Sequence, residues 1–384
     1  MSDTGPLIIV GTGLAGYNLA KEVRKLDDQR ELILITADDG RFYSKPLLST
    51  GFAKGKQADE LAMQDAATMA TQLNARVMAH TQVLKVDSQA RTLHIQDGEL
   101  PYGDLVLACG AHARPLPLGE ETPDGVLSIN DLGDYGRFRQ ALQGRKRVAI
   151  IGAGLIGSEF ANDLALGGLE VQVIAPDEQL MPGLIPDQVA APVQAALEEL
   201  GVRFHLGRSV IAVHPDGSGL SLELDDGSRI EADQVLSAIG LVANTSLAQE
   251  AGLLCGRGIQ VDRFLRTSDP HIYALGDCAE VEGMQLMYVM PLMGCARALA
   301  RTLSNEPAEV SYPVMPVMVK TPACPLVVSP PVTSSKGLWT VTGEGQNMKA
   351  LFHDADGVLH GYALTGSAVS EKLQLNRQLP AWLA

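Results

Sequence analysis

The sequence predicts an α/β protein with two doubly wound parallel-sheet units and a small α+β domain at the C-terminal end. Three observations predict this. A glycine-rich turn joins a strand-like run to a helix-like run at residues 11–16, and again at 152–157. Each copy is followed by a similar β-rich extension. After about residue 310 the composition shifts to Pro and Val. The 384 residues suffice for two or three domains, each with its own core. Aromatics are only 4% of the chain, so aliphatic side chains, Ala and Gly must fill those cores.

Leu7 to Val10 is an apolar run suited to a strand buried on both faces. Gly11-Thr12-Gly13-Leu14-Ala15-Gly16 turns it into a helix over Tyr17 to Leu26, and Glu31 to Ile35 gives the next strand, completing a βαβ unit. Val77 to Leu107 alternates as strands do, with a turn signal at Asp97-Gly98. The second copy runs from a strand at Arg147 to Ile151 through Gly152-Ala153-Gly154-Leu155-Ile156-Gly157. A helix over Ser158 to Leu166 and a strand over Val171 to Ile174 complete it. Its extension reads as strands at Val202 to Leu206, Val210 to Val213 and Leu220 to Leu224, then a turn at Asp226-Gly227 and a final stretch over Arg229 to Ile239. Beyond Tyr312 to Pro331 come short strands and an amphipathic helix predicted over Ser367 to Gln378.

A net charge of -15 opposes long-range attraction to nucleic acid or anionic lipid. The five cysteines, at 109, 255, 278, 295 and 324, form no CxxC or CxxxxC pair, which favours free thiols in a reducing compartment. Met1 to Pro6 lacks the basic start of a signal peptide, and no apolar run reaches membrane-span length, so a cytoplasmic location is expected. The eight histidines show no metal-ligand spacing, and His94 and His205 read as structural; no metal is expected.

One GxGxxG is a weak signal, but two that each end a strand and open a helix are specific. Such a turn brings backbone close to a pyrophosphate, and the helix start adds positive potential. An acid about twenty residues on ordinarily holds the ribose hydroxyls. The first copy instead has Thr36 and Ala37, then Asp38 and Asp39; the second has Ala175, then Asp177 and Glu178. The Thr36 hydroxyl remains able to bond a ribose. Neither strand end offers an Arg for a 2′-phosphate, so NADH is expected over NADPH.

Two further segments are Leu105-Val106-Leu107-Ala108-Cys109-Gly110-Ala111 and Thr267 to Asp277, which ends IYALGD. With the two glycine turns, their order resembles the flavoprotein reductases with two Rossmann-like dinucleotide-binding domains, of glutathione-reductase-like fold, over essentially the whole chain. The resemblance implies an FAD domain of residues 1–113 and 243–309, an NAD(P)H domain of 114–242, and an interface domain of 310–384. It implies that Asp277, beside Gly276, bonds the ribityl chain of FAD. Cys109 stands where Thr is usual, so the contacts of Ala108, Cys109 and Gly110 are expected through backbone. Tyr288 to Gly294 runs into a helix expected over Cys295 to Leu303, with Pro291 in its first turn. In relatives that helix start, here near Val289, faces the flavin pyrimidine edge and favours negative charge there.

Disulfide reductases of this superfamily carry a CxxxxC pair, and related oxidases a single reactive cysteine. This chain has Lys45 where that cysteine would stand and no cysteine before Cys109. Its Tyr43-Ser44-Lys45-Pro46-Leu47-Leu48-Ser49 is similar to the YxRPxLS segment of ferredoxin-reductase-type relatives. That likeness places Ser44, Lys45 and Pro46 at the flavin, with Lys45 beside its N5 and paired with Glu159 as the catalytic pair; Val83 joins the flavin contacts. Val319-Lys320-Thr321-Pro322-Ala323-Cys324-Pro325-Leu326-Val327-Val328-Ser329-Pro330-Pro331 resembles the corresponding stretch of rubredoxin reductases and flavorubredoxin reductases, and makes Lys320 a further candidate flavin contact.

The resemblance implies electron transfer from NADH through FAD to rubredoxin, an iron–sulfur carrier, in two single-electron steps per hydride. A reductase of ferredoxin, flavorubredoxin or a nitrite reductase is the alternative of the same class. A flavin-bound redox sensor without significant turnover is the alternative of another. Rubredoxins are generally acidic, like this chain, so the expected docking surface is small and fairly apolar, with a few local Lys or Arg, and engaged transiently.

Overall fold

Leu7–Val10 is apolar and buried at all four positions, as a strand covered on both faces requires. It lies at the centre of a five-stranded parallel sheet in the order Ile272–Ala274, Asp104–Leu107, Leu7–Val10, Leu32–Ile35, Arg76–Met78. A second parallel sheet repeats the plan, in the order Val126–Ser128, Gln234–Ser237, Arg147–Ile151, Glu170–Ala175, Arg203–Leu206. In both sheets the strand before the glycine turn sits centrally, where the winding direction reverses and a crevice opens at the strand ends. This computed structural model describes residues 5–118, 125–332 and 335–384. Met1 to Thr4, part of the signal-peptide reading, lie outside the described residues.

Each parallel sheet carries an antiparallel three-stranded extension: Val83–Asp87, Thr92–Ile95 and Gly98–Pro101 on the first, and Val210–Asp216, Gly219–Leu224 and Arg229–Ala232 on the second. The alternation seen in sequence is physical, since Leu220, Leu222 and Leu224 are buried while their neighbours are not. The chain passes between units along Ala111–Ala113 and returns along Leu241–Ala243, and these two segments pair antiparallel.

The C-terminal residues form an antiparallel five-stranded sheet in the order Val317–Val319, Leu326–Ser329, Leu359–Thr365, Asn347–His353, Leu338–Glu344. Leu326, Val328, Ala350 and Ala363 of this sheet share one buried cluster with Val148, Ile150, Phe160 and Leu164 of the second unit. The C-terminal sheet is therefore packed on the second parallel sheet's helical side.

The helices after the two glycine turns, Leu14–Leu26 and Leu155–Leu166, each begin three residues before their expected start, and two other helices depart further from expectation. Residues 366–376 form a 3-10 helix, Gly366–Glu371, then a short α-helix, Lys372–Asn376. The Asn347 side chain accepts bonds from the Ser367 backbone N–H and hydroxyl, which ties the first turn to the sheet and stops a continuous helix. The helix expected over Cys295 to Leu303 begins six residues earlier, as Val289–Leu303. Pro291 fits its first turn because an N–H there has no intrahelical acceptor to lose. Among the described residues no helix is long and apolar enough to cross a membrane.

Candidate functional site

The two glycine turns have nearly the same geometry, and each glycine has a separate reason. Gly11 and Gly152 take φ of +115° and +112°. A Cβ on Gly11 would stand 2.2 Å from the Ala108 carbonyl oxygen, and one on Gly152 would stand 2.6 Å from that of Ala238. Gly16 and Gly157 press the helix onto the turn, where a Cβ would meet the carbonyl oxygens of Gly11 and Gly152 at 1.9 and 2.0 Å. Gly13 and Gly154 are different: a Cβ there meets nothing within 4 Å. Each is the N-cap of its helix, Leu14–Leu26 or Leu155–Leu166, with no side-chain cap bond. Open space over bare helix N–H groups is what a pyrophosphate requires. Both turns fit a dinucleotide.

Around the first turn, Gly276 adopts φ +82° and lies against Ala15, 2.8 Å from where its own Cβ would be. Asp277 follows, and its carboxylate lies 3.4 Å from the Lys45 ammonium. Ser44 stands at the N-cap position without a side-chain bond, and Pro46 lies in the first turn of the 3-10 helix Lys45–Thr50, which begins with Lys45. Cys109 and Gly110 are held through their carbonyls: the Asn244 side-chain amide donates to that of Cys109 at 2.8 Å, and the Asn244 backbone N–H donates to that of Gly110 at 3.0 Å, while the Cys109 thiol lies 4.0 Å from the Val10 carbonyl oxygen. The helix Val289–Leu303 starts nearby without a side-chain cap, Leu292 reaching towards Gly276 and Val289 partly exposed. Val83 is buried at the start of its strand.

Thr36 is occupied. Its hydroxyl donates to Asp38 Oδ1 at 2.7 Å, and the same oxygen accepts from the Gly40 N–H at 2.9 Å and the Thr12 hydroxyl at 3.4 Å. The Thr36 proton is thereby spent within the turn, leaving only lone pairs for a ribose. Ala37 is exposed beside it. In the second unit, Leu155 and Ile156 open the helix, and Asp177 and Glu178 edge a groove of about 410 Å³ shared with Gln179, Pro182 and Trp339.

The expected Lys45–Glu159 pair is not formed. Glu159, 1% exposed, takes Lys320 instead: the Lys320 ammonium lies 2.8 Å from Oε2, and the Lys320 backbone N–H donates to Oε1 at 3.0 Å. The Ser49 hydroxyl donates to Oε2 as well. The lysine therefore comes from the C-terminal domain, and Lys45 turns to Asp277. The reason is electrostatic, because a carboxylate this deeply buried needs an opposite charge and full hydrogen bonding, and Lys320 supplies both through side chain and backbone.

Two buried neighbours of Glu159 were not legible as site residues. Asn162 accepts from the Ala323 N–H at 3.2 Å, and Asp163 accepts from the Phe52 and Ala53 N–H groups at 2.8 and 3.2 Å. Burial pushes the Asp163 carboxyl above its usual range, partly offset by those two bonds. The available signal was three polar residues at i, i+3 and i+4 on a helix that is otherwise apolar on that side.

All five cysteines are unpaired. Burial pushes the Cys278 thiol up to about 12 and the Cys295 thiol to about 11, and Cys109 and Cys324 are raised by the same cause. None is a ready thiolate at neutral pH. His205, half-buried in its strand, faces Gln172.

Residues 5–294 match the family model described as pyridine nucleotide-disulphide oxidoreductase, and residues 309–379 match that of the rubredoxin binding C-terminal domain. The chain is 53% identical to a rubredoxin-NAD(+) reductase of Alcanivorax borkumensis, covering 98% of this chain and 99% of the relative. The chain belongs to the rubredoxin-NAD(+) reductase family of pyridine nucleotide-disulphide oxidoreductases. A nitric oxide reductase FlRd-NAD(+) reductase of Vibrio vulnificus is 39% identical over 99% of this chain and 98% of its own length. Among solved structures, a ferredoxin reductase from Rhodopseudomonas palustris superposes with a TM-score of 0.87 at 26% identity, covering 98% of this chain and 95% of that one. The disulphide in the family's name has no counterpart here. Lys45, presented on the 3-10 helix, stands in the segment Tyr43 to Ser49, which holds no cysteine.

Proposed function

We propose that this chain is an NADH-dependent reductase of rubredoxin that uses FAD. The observation that carries this is the pair of glycine turns, each with an uncapped helix start and open space over its middle glycine, joined by buried charge and with no reactive thiol nearby. Bound FAD supplies the link between a two-electron hydride donor and a one-electron carrier. The protein's part is binding, orientation and electrostatics.

In this reading residues 1–113 and 243–309 hold FAD, 114–242 hold NADH, and 310–384 close the site and receive the carrier. Gly11, Thr12, Gly13, Leu14, Ala15 and Gly16 receive one pyrophosphate; Gly152, Gly154, Leu155, Ile156 and Gly157 receive the other. Thr36, Ala37, Ser44, Pro46, Val83, Ala108, Cys109, Gly110, Gly276 and Asp277 complete the flavin side with Val289. Lys45 holds positive charge beside Asp277, and Glu159 with Lys320 forms an ion pair at the meeting point whose carboxylate is buried and whose ammonium stays partly open. Asp177 and Glu178 place negative charge where a 2′-phosphate would go, which supports NADH over NADPH. Five unpaired thiols support a reducing, cytoplasmic setting.

The C-terminal family match and the relative from Alcanivorax borkumensis support rubredoxin as the acceptor. The relative from Vibrio vulnificus favours a flavorubredoxin as the second reading. The test is anaerobic: the purified yellow protein is bleached with NADH, then mixed with oxidised rubredoxin, flavorubredoxin or ferredoxin in parallel. Rapid reduction of rubredoxin is expected; a colourless protein that takes up no flavin, or bleached protein that reduces none of the carriers, overturns the proposal.

A further inference from the structure

The helix Leu155–Leu166 opens at the second glycine turn, and Ser158 to Leu164 are all buried. Within that stretch Glu159, Asn162 and Asp163 are polar and at most 5% exposed. Burying three polar side chains on one helix face is costly unless each is bonded. Each is bonded, and every named partner lies outside the second unit: Ser49 and Lys320 for Glu159, Ala323 for Asn162, Phe52 and Ala53 for Asp163. A helix that needed only to pack on its own sheet would carry Leu or Ala there.

The grip on Phe52 is the tightest part. Its ring sits on Gly167, so close that a Cβ on that glycine would stand 2.4 Å from Cδ1. The Arg139 guanidinium lies over the ring, 4.4 Å from its centre. Two helices of the second unit, Leu132–Ala141 and Leu155–Leu166, thus hold one aromatic side chain of the first. Phe52 is two residues beyond the 3-10 helix Lys45–Thr50, whose first residue faces Asp277 beside the first turn. A short, rigid path therefore runs from the second glycine turn, along one helix, across the Phe52 contact and into the first site.

We infer that Asp163, Phe52, Arg139 and Gly167 form a positioning clasp that keeps the two nucleotide sites in register for hydride transfer, while binding at neither site depends on it. This rests on the reading that the first turn holds FAD and the second NADH. Reacting atoms must approach to about 3–3.5 Å, and a misplacement of about 1 Å costs on the order of 100-fold in rate. Opening the clasp should then slow transfer and leave affinities alone.

Two variants open it by independent means. Asp163→Ala removes the acceptor of both backbone N–H groups. Gly167→Ala keeps that carboxylate and drives a methyl into the Phe52 ring; the backbone φ of -76° at 167 suits Ala, so any effect comes from displacing the ring. Asp163→Asn, retaining one acceptor oxygen, is the conservative rescue. Holoenzymes are compared by anaerobic stopped flow at saturating NADH, with rates normalised to bound flavin, and by titration with NAD+. The clasp predicts at least a 10-fold slower bleaching for Asp163→Ala and Gly167→Ala, a smaller loss for Asp163→Asn, and flavin content and NAD+ affinity within twofold of the parent. Parent-like bleaching in both variants overturns it, as does a slowing matched by lost flavin or lost NAD+ affinity. A parent protein that binds FAD and is not bleached by NADH overturns the underlying functional reading, and is seen before any variant is made.

Discussion

Replacing Lys320 by Met removes the ammonium 2.8 Å from a carboxylate that is 1% exposed. Breaking a buried ion pair by deleting one partner costs about 3–5 kcal/mol, because the remaining charge is left without compensation. Glu159 keeps two other donors after this change, the Ser49 hydroxyl and the backbone N–H of residue 320 at 3.0 Å. That places Lys320→Met at the low end, about 3 kcal/mol. The reverse change is milder. Glu159→Gln leaves a lysine side chain that is 31% exposed and can hydrate, and the amide oxygen still accepts, so about 1 kcal/mol is expected. With a urea slope near 3 kcal/mol per M, the midpoint falls by about 1 M for Lys320→Met and by about 0.3 M for Glu159→Gln. Urea unfolding of the flavin-loaded proteins, followed by far-UV dichroism, measures both. A midpoint for Glu159→Gln as low as that for Lys320→Met would refute the reasoning, since the asymmetry follows from the unequal burial of the two charges.

The glycines of one turn separate fold from ligand. Gly11→Ala, with a Cβ 2.2 Å from the Ala108 oxygen and φ at +115°, is expected to lower the yield of folded, yellow protein. Gly154→Ala meets no protein atom and should fold normally while weakening NAD+ binding at least 10-fold by titration, the methyl standing where the pyrophosphate belongs. Asp233, bonded to Arg147 and to two backbone N–H groups, has its carboxyl held down to about 2. Its stabilising effect is therefore complete above about pH 4 and is lost as pH falls from there towards 2. An acid titration of stability should drop less steeply over that window in Asp233→Asn, by at most about 2 kcal/mol after allowance for solvent screening. Because the Cys278 and Cys295 thiols stay protonated until about pH 11–12, thiol reagents at pH 8 should leave both unmodified, as read by mass spectrometry of peptides. Cys278→Ala should retain turnover within about twofold.

Much of the architecture was readable because it rests on local pattern. The runs at Leu7 to Val10 and Arg147 to Ile151 are apolar throughout, and the glycines that follow them are required by φ near +110° and by carbonyl oxygens closer than a Cβ tolerates. These are properties of a short stretch of backbone, and sequence records them directly. Helix ends were less legible. The turn at Gly366–Glu371 is tied down by bonds that Ser367 donates to the Asn347 side-chain oxygen, on a distant strand, and the true start at Val289 depends on Pro291 being harmless in a first turn.

The charges were a different matter. The family resemblance nominates Lys45, Glu159, Lys320 and Asp277 for the site and pairs Lys45 with Glu159, but the linear chain does not fix which charge meets which. That outcome depends on how deeply each group is buried and on the packing of the C-terminal sheet against the second unit, which brings Lys320 to Glu159 and leaves Lys45 to Asp277. Thr36 likewise carries a hydroxyl suited to a ribose, and only the folded turn brings Asp38 to hold its proton. Periodicity and glycine spacing are fixed within a few residues, so the chain alone determined two nucleotide units and their turns. Ion pairing acts over a few ångströms between segments more than a hundred residues apart, so only the folded arrangement decided it.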